Sequence, residues 1–363
     1  MTQIDTITIK GYKSIKSLEN FKLFPLNVLI GANGSGKSNF ISVFRLLNQI
    51  FEQRLQVYTQ EQGGPDALLH FGRDFTESLH AHFWFFPESS VHPISYDYSF
   101  SLIPTLDNRL IFETEEVRMF NGTKSFPELW QGHAESKIKE EKDDWLMWFV
   151  RPSVSNLRVY HFHDTSEIIK TQAANINLRL LPDGSNLAAY LRMLKEKYAG
   201  EYRRIVDTIR LVLPFFDDFV HRPGDLEFIQ LEWRQKGKPD IPFKAHVLSD
   251  GSLRFICLVT LLLQPVFLLP DTILIDEPEL GLHPAAIAIL ADIFQQVAED
   301  KQLIVATHSV ELINNLTPED VVVVDHEDGV SSFRRFNEEE LCDWLEEYTL
   351  GELWLRNILG GRP

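Results

Sequence analysis

The chain has 363 residues, 44% of them apolar, enough to bury one large α/β core or two separate cores, and its composition fits a folded globular protein. Its 35 Lys and Arg against 52 Asp and Glu give a net charge of −17, which excludes the globally basic face that neutralises nucleic-acid phosphates. The two cysteines, Cys257 and Cys342, lie too far apart in sequence for a metal-type or redox-type pair and point to a reducing compartment, with the cytoplasm as default.

Met1 to Lys10 alternates Ile4, Ile7 and Ile9 with polar residues, the pattern of a strand and not of a signal peptide. The apolar run from Leu26 to Ile30 then leads straight into Gly31, Ala32, Asn33, Gly34, Ser35, Gly36, Lys37 and Ser38, which fit the phosphate-binding P-loop at every defined position. A helix-forming stretch from Asn39 to Phe51 follows. Strand, glycine loop and helix in this order turn main-chain N–H groups and a helix N-terminus onto the β-phosphate. Lys37 would reach the β- and γ-phosphates and the Ser38 hydroxyl would ligate Mg²⁺, so ATP and Mg²⁺ are the expected ligands.

About 210 residues separate Lys37 from Ser249, and Gly63, Gly64, Pro65, Pro87, Pro93, Pro104 and Pro127 exclude a long coiled-coil arm there. Alternating segments at 78–86, 96–103 and 110–120 predict an antiparallel sheet. The stretch 135–149 is dense in charge and ends in Trp145, Leu146, Trp148 and Phe149. It reads as a helix packing its aromatic side on the core, the alternative being a platform for single-stranded nucleic acid. A strand over 156–162 puts His161 and His163 on one face beside Asp164; a metal site can be imagined there, but the expected role is to order the nucleotide pocket or the sheet edge. Apolar residues at steps of three or four from Asn186 to Val212 predict one long helix, or two broken at Gly200, within a helical lobe over 185–220. The chain returns through 227–233 and a turn at 236–239.

Downstream, Leu248 to Ser252 precede a helical stretch at 253–263, and a serine, a glycine and a helix N-terminus make a second anion site with no phosphate of its own. Asp271 to Pro278 is an apolar strand ending in two acids, a Walker B element. Asp276 would hold the Mg²⁺ shell, and Glu277 suits a general base for the water attacking the γ-phosphate. Residues 279–284 turn the chain into a helix starting near Pro284. The buried strand Gln302 to Ala306 ends in Thr307, His308 and Ser309, with His308 placed to contact the γ-phosphate. A last buried strand at 321–324, an edge strand at 332–336 and an acidic, aromatic helix at 338–355 close the chain. That helix carries Leu341, Trp344, Leu345 and Tyr348 on one face, for the core or for a partner. The apolar stretch 255–269 is interrupted by Gln264 and Pro265 and is too short to span a bilayer, so no membrane is expected.

One P-loop and one separate serine-glycine site per chain make sense when two chains meet head to tail. The set resembles the ABC-type ATPases, in particular the branch of RecF, SMC and the overcoming-lysogenization-defect ATPases. The string Asp276 to Pro284 and the opening Ile9 to Ile15 are especially like that branch, and specific matches cover about the first fifty and last hundred residues. The resemblance implies that Leu248 to Ser252 is the signature loop, with Ser249 and Gly251 binding the partner's nucleotide, that Glu279 to His283 is the D-loop and that His308 is the H-loop. Asp250 stands where many transporter members have glycine, and is expected to turn away or cap its own helix. Gln60, Gln62 and Gln172 are the candidates for a Q-loop glutamine.

The implied fold class is α/β: a P-loop NTPase (ABC ATPase) sheet with a flanking antiparallel β-sheet and an inserted α-helical lobe. The expected division is 1–184, the N-terminal half of the ATPase domain with the sheet insertion; 185–225, the helical lobe; and 226–363, the C-terminal half. The implied activity is ATP hydrolysis to ADP and phosphate by a homodimer, or a higher oligomer, closed around ATP. It would control a separate effector or nuclease subunit in prokaryotic defence, since no room for a topoisomerase-primase nuclease domain is expected after the last ATPase strand. The alternative is a RecF/SMC-like DNA-binding ATPase of repair or maintenance; a transporter ATPase is a third, weaker reading.

Overall fold

The computed structural model describes residues 2–87, 95–119, 125–139, 150–222 and 227–361. The chain opens with the hairpin β1 (Thr2–Tyr12) and β2 (Ile15–Lys22), followed by β3 (Leu26–Ile30) and α1 (Lys37–Phe51). Short helices α2 (Leu55–Glu61) and α3 (Pro65–Leu68) lead to β4 (Leu79–Pro87), β5 (Tyr96–Pro104), β6 (Leu110–Met119) and β7 (Ser125–Trp130). Then come α4 (Arg151–Ser155), β8 (Leu157–Tyr160), β9 (Gln172–Ala173), α5 (Leu187–Lys197), α6 (Ala199–Val212), β10 (Phe216–Phe219), β11 (Phe228–Ile229), β12 (Glu232–Gln235) and β13 (Lys238–Lys244). The last part holds α7 (Asp250–Leu262), β14 (Thr272–Asp276), α8 (Pro284–Ala298), β15 (Gln302–Ala306) and α9 (Val310–Ile313). It ends with β16 (Val321–Glu327), β17 (Val330–Arg335), α10 (Glu338–Leu345) and α11 (Leu350–Leu355).

Two six-stranded sheets dominate. One has the order β17-β16-β3-β15-β14-β8, with every pair parallel except the β16–β17 hairpin. Strands buried on both faces read as unbroken apolar runs, which is why β3, β14 and β15 are so visible in the sequence. Alternation splits their side chains between two cores. Val28, Ile273, Ile275, Leu303 and Val305 pack with α5, α6, α7 and α8, while Leu29, Leu274, Ile304 and Ala306 face α1 and the second sheet. That second sheet, β2-β1-β4-β5-β6-β7, is antiparallel. Helix α1 lies between the two sheets, with the Phe44 ring 5.9 Å from Phe83 and the Phe51 ring 5.3 Å from Tyr98.

The sequence reading needs correction at several points. The antiparallel sheet extends beyond the three expected segments and takes in the N-terminal hairpin through β1–β4 pairing. The helical lobe is two helices, but the break is at Tyr198, whose backbone is non-helical (φ −135°, ψ 59°); Gly200 sits inside the first turn of α6. The return through 227–233 is split between two small sheets, β11 with β9 and β12 with β10 and β13. The C-terminal helix is also two, because Thr349 and Glu352 form a capping box that restarts the chain at α11. Leu341 is buried and Trp344 is 45% exposed. The aromatic segment with Trp145 and Trp148 lies outside the described residues. Among the described residues no helix is long and apolar enough to cross a membrane.

Candidate active site

Because β3, β8, β14 and β15 run parallel and adjacent, their carboxyl ends open at the same edge of the sheet. From β3 comes the 31–38 loop. Gly31, Gly34 and Gly36 adopt φ of 156°, 79° and 113°, and a Cβ on Gly36 would lie 2.1 Å from Ser331 Oγ and 2.9 Å from Ser14 Oγ. The loop is buttressed there: Ser331 donates to Ser35 O at 2.5 Å, its Oγ lies 2.7 Å from the Ser14 hydroxyl, and Asn39 donates to Ser14 Oγ at 2.7 Å. The Lys37 ammonium donates to Gly31 O at 2.8 Å and Ala32 O at 2.9 Å. Burial pulls its pKa down to about 8, against the pull of Glu277, Asp276 and Glu279. Ala32 is half-buried, while Asn33, Gly34 and Ser38 are exposed at the loop and the start of α1.

From β14 come Asp276 and Glu277. Asp276 is buried, its Oδ1 has no hydrogen-bond partner, and desolvation raises its pKa, with Arg45 on α1 the largest opposing charge. Glu277 holds a left-handed backbone at φ 47°, its N–H donating to Ala306 O at 2.8 Å. From β15 comes His308, whose Nε2 lies 3.8 Å from Glu277 Oε1 and whose pKa burial lowers. Its N–H donates to Glu279 Oε1 at 2.6 Å, and burial keeps the Glu279 carboxyl above its usual range. From β8 come His161 and His163. The His163 Nε2 donates to Asp276 O at 3.1 Å, and the two imidazoles lie 3.9 Å apart. Burial, then His163, drives His161 down to about 4.

Ser249 and Gly251 are not part of this cluster, and among the described residues no hydrogen bond joins Ser249 to the 31–38 loop. Ser249 is exposed and is itself the N-cap of α7, accepting from Ser252 N at 3.2 Å. Asp250 therefore does not cap the helix; its Oδ1 accepts from the Thr165 hydroxyl at 2.5 Å. Arg254, one turn on, donates to Phe162 O, His163 O and Leu280 O and so ties α7 to the β8 exit and to the 279–283 turn. None of the three glutamines reaches Glu277. Gln60 is exposed, Gln62 accepts from Lys13 at 3.2 Å, and Gln172 is buried, bonding Ile168 O and Ala188 N.

The residues present fit a magnesium nucleotide. An exposed serine hydroxyl and a buried carboxylate with an unpartnered oxygen are the hard oxygen donors Mg²⁺ takes. A loop of glycines beside a cationic lysine is a phosphate cradle. Among the described residues no group of three His, Cys, Asp or Glu side chains is arranged to hold a metal by itself, the His161–His163 pair included. Arg45 and Arg254 escaped the sequence reading, because they sit outside the motifs and only packing brings them in, while Glu279 stands in the expected D-loop but without its bond to the His308 backbone being foreseen.

Comparison with known proteins agrees with this geometry. Over residues 26–314 the chain matches the family described as "AAA domain, putative AbiEii toxin, Type IV TA system". It is 33% identical over 79 residues to a protein of Methanosarcina acetivorans named "Putative ABC transporter ATP-binding protein", a stretch covering 22% of this chain and only 27% of that relative's length. Two solved structures share the fold. One is an SMC head bound to the C-winged helix domain of ScpA, with TM-score 0.63, 16% identity, and 94% of this chain and 99% of that one covered. The other is an Smc head domain with an extended coiled coil bound to the C-terminal domain of ScpA, derived from Pyrococcus furiosus, with TM-score 0.61, 14% identity and coverage of 96% and 99%. The family match takes in the P-loop strand, the acidic end of β14 and His308; the chain belongs to this AAA-domain family and shares its fold with SMC heads.

Proposed function

We propose that this protein hydrolyses ATP as one half of a nucleotide-linked homodimer and uses closing and reopening of the dimer to control a separate effector subunit. The observation that carries the reading is the division of labour within one chain. Lys37, Asp276, Glu277 and His308 meet at one sheet edge, while Ser249 and Gly251 stand exposed or half-exposed on a separate helix N-terminus. Gly31 to Ser38 would cradle the phosphates, Ser38 and Asp276 would hold Mg²⁺, and Ser249 and Gly251 would serve the partner's nucleotide. Mg²⁺, when bound, neutralises charge between the phosphate oxygens. Glu277 would take the proton of the attacking water and His308 would contact the γ-phosphate. The three-part division at 184/185 and 225/226 is kept as the organisational reading of the chain, and the cytoplasm as its location.

Control of an effector, in prokaryotic defence, is favoured by the family's description as a toxin of a toxin–antitoxin system and by SMC heads solved with a partner subunit's domain. The DNA-directed alternative draws on the same SMC-head fold but meets a net charge of −17. The test is Glu277→Gln, purified from its native host with ATP and Mg²⁺. The variant should accumulate as an ATP-loaded dimer and retain its effector subunit. A monomer at high concentration with a non-hydrolysable nucleotide would overturn the dimer, and salt-dependent duplex binding without a protein partner would favour the DNA reading.

A further inference from the structure

The exit of β8 places a histidine against the carboxylate assigned above as the general base. His163 Nε2 lies 3.1 Å from the Asp276 carbonyl oxygen and 3.9 Å from Glu277 Oε2. A carbonyl only accepts, so Nε2 carries the proton of that bond, and its N–H is anchored on the peptide that joins the two acids. On the other side, His308 Nε2 stands 3.8 Å from Glu277 Oε1. The carboxylate thus has one imidazole beside each oxygen. The Glu277 backbone is in the left-handed region at φ 47°, a conformation that persists only when its surroundings over-determine it. Its N–H is fixed by Ala306 O on one side, and the preceding carbonyl by His163 on the other. His163 is itself held: Arg254 donates to its carbonyl oxygen at 2.7 Å and to that of Phe162 at 3.1 Å, and the His161 ring lies against it, 3.9 Å away and tilted by 37°.

We propose that His163 is a positioning residue for Glu277, clamping the Asp276–Glu277 peptide so that the carboxylate stays aimed between the two imidazoles at the attacking water. This role rests on the reading of Glu277 as the base.

The test is steady-state ATP hydrolysis with Mg²⁺ by the full chain carrying His163→Ala, His163→Gln, Glu277→Gln and the double change His163→Ala/Glu277→Gln. His163→Ala should lower kcat about 10- to 100-fold, the range a small misplacement of a reacting group costs, with KM and ATP affinity within about twofold of wild type. His163→Gln, whose amide N–H can still donate to Asp276 O, should recover most of that loss. In the Glu277→Gln background, His163→Ala should add nothing. A change in KM alone, an additive loss in the double variant, or a Gln variant no better than Ala would overturn the role of His163. Wild-type turnover by Glu277→Gln would instead remove the base, and the positioning role with it. If His163→Ala melts early, His163→Leu, which fills the space without an N–H, takes its place in every comparison.

Discussion

A Cβ built on Gly251 would stand 2.0 Å from the carbonyl oxygen of Gly281, so the first turn of α7 and the 279–283 turn touch backbone to backbone. This contact joins the helix whose N-terminus is proposed to serve a partner's nucleotide to the turn that follows Glu277.

Gly251→Ala should therefore act at a distance. The clash is with main chain, so α7 and the turn must separate, at a cost of about 1–3 kcal/mol. Isothermal titration should find ATP binding to the monomer near wild type, while light scattering should find ATP-dependent dimer much reduced. Wild-type dimerisation would show that the contact is mere packing.

Arg254 holds the same junction by hydrogen bonds. Its guanidinium serves three carbonyls, of Phe162, His163 and Leu280, at 2.7–3.1 Å. Lysine cannot reproduce that fork. Arg254→Lys should destabilise the fold by about 1–3 kcal/mol in urea melts and lower kcat more than it weakens ATP binding, because one of the orphaned groups is the backbone of His163. Loss of ATP affinity without loss of kcat would count against this route.

Lys37 sets a pH window. Burial holds its pKa at about 8, below the ordinary 10.5, so between those values the unfolded chain binds a proton that the folded chain does not. The Lys37 contribution to stability thus rises with pH across that window, once the buried charge is gone. ATP needs the opposite form, the ammonium. Its affinity should fall above pH 8 by up to about tenfold per pH unit, and the slope should vanish in Lys37→Met. A flat affinity from pH 7 to 9.5 in the wild-type protein would contradict this.

Asp276 trades stability for function. Desolvation raises its pKa, so the folded chain binds a proton more tightly than the unfolded one, and the full cost of burying the carboxylate is borne above the raised value. Asp276→Asn removes that charge. At neutral pH the nucleotide-free variant should melt about 2 °C above wild type, while Mg²⁺-dependent hydrolysis drops about 100-fold or more. A lower melting temperature would mean that Asp276 gains more from Arg45, His163 and Lys37 than burial costs.

The sequence by itself determined the parallel core and the acids and phosphate loop at its edge. A strand buried on both faces has to be apolar throughout, and a backbone that wraps phosphate has to use glycine, so 26–38, 272–277 and 302–308 are legible without a fold. It also set the helical lobe, though not its break, because Tyr198 interrupts a periodic pattern through its backbone and not through its side-chain type. What only the tertiary structure decided is which residues outside those motifs complete the site. Strand β8 pairs beside β14 across more than a hundred residues of chain, and that pairing alone puts His163 on Glu277. Likewise Ser331 reaches Ser35, and Arg254 reaches Leu280, through the docking of separate elements. Local patterns record burial and backbone shape, whereas contacts between distant segments depend on strand order, which no short window of sequence contains.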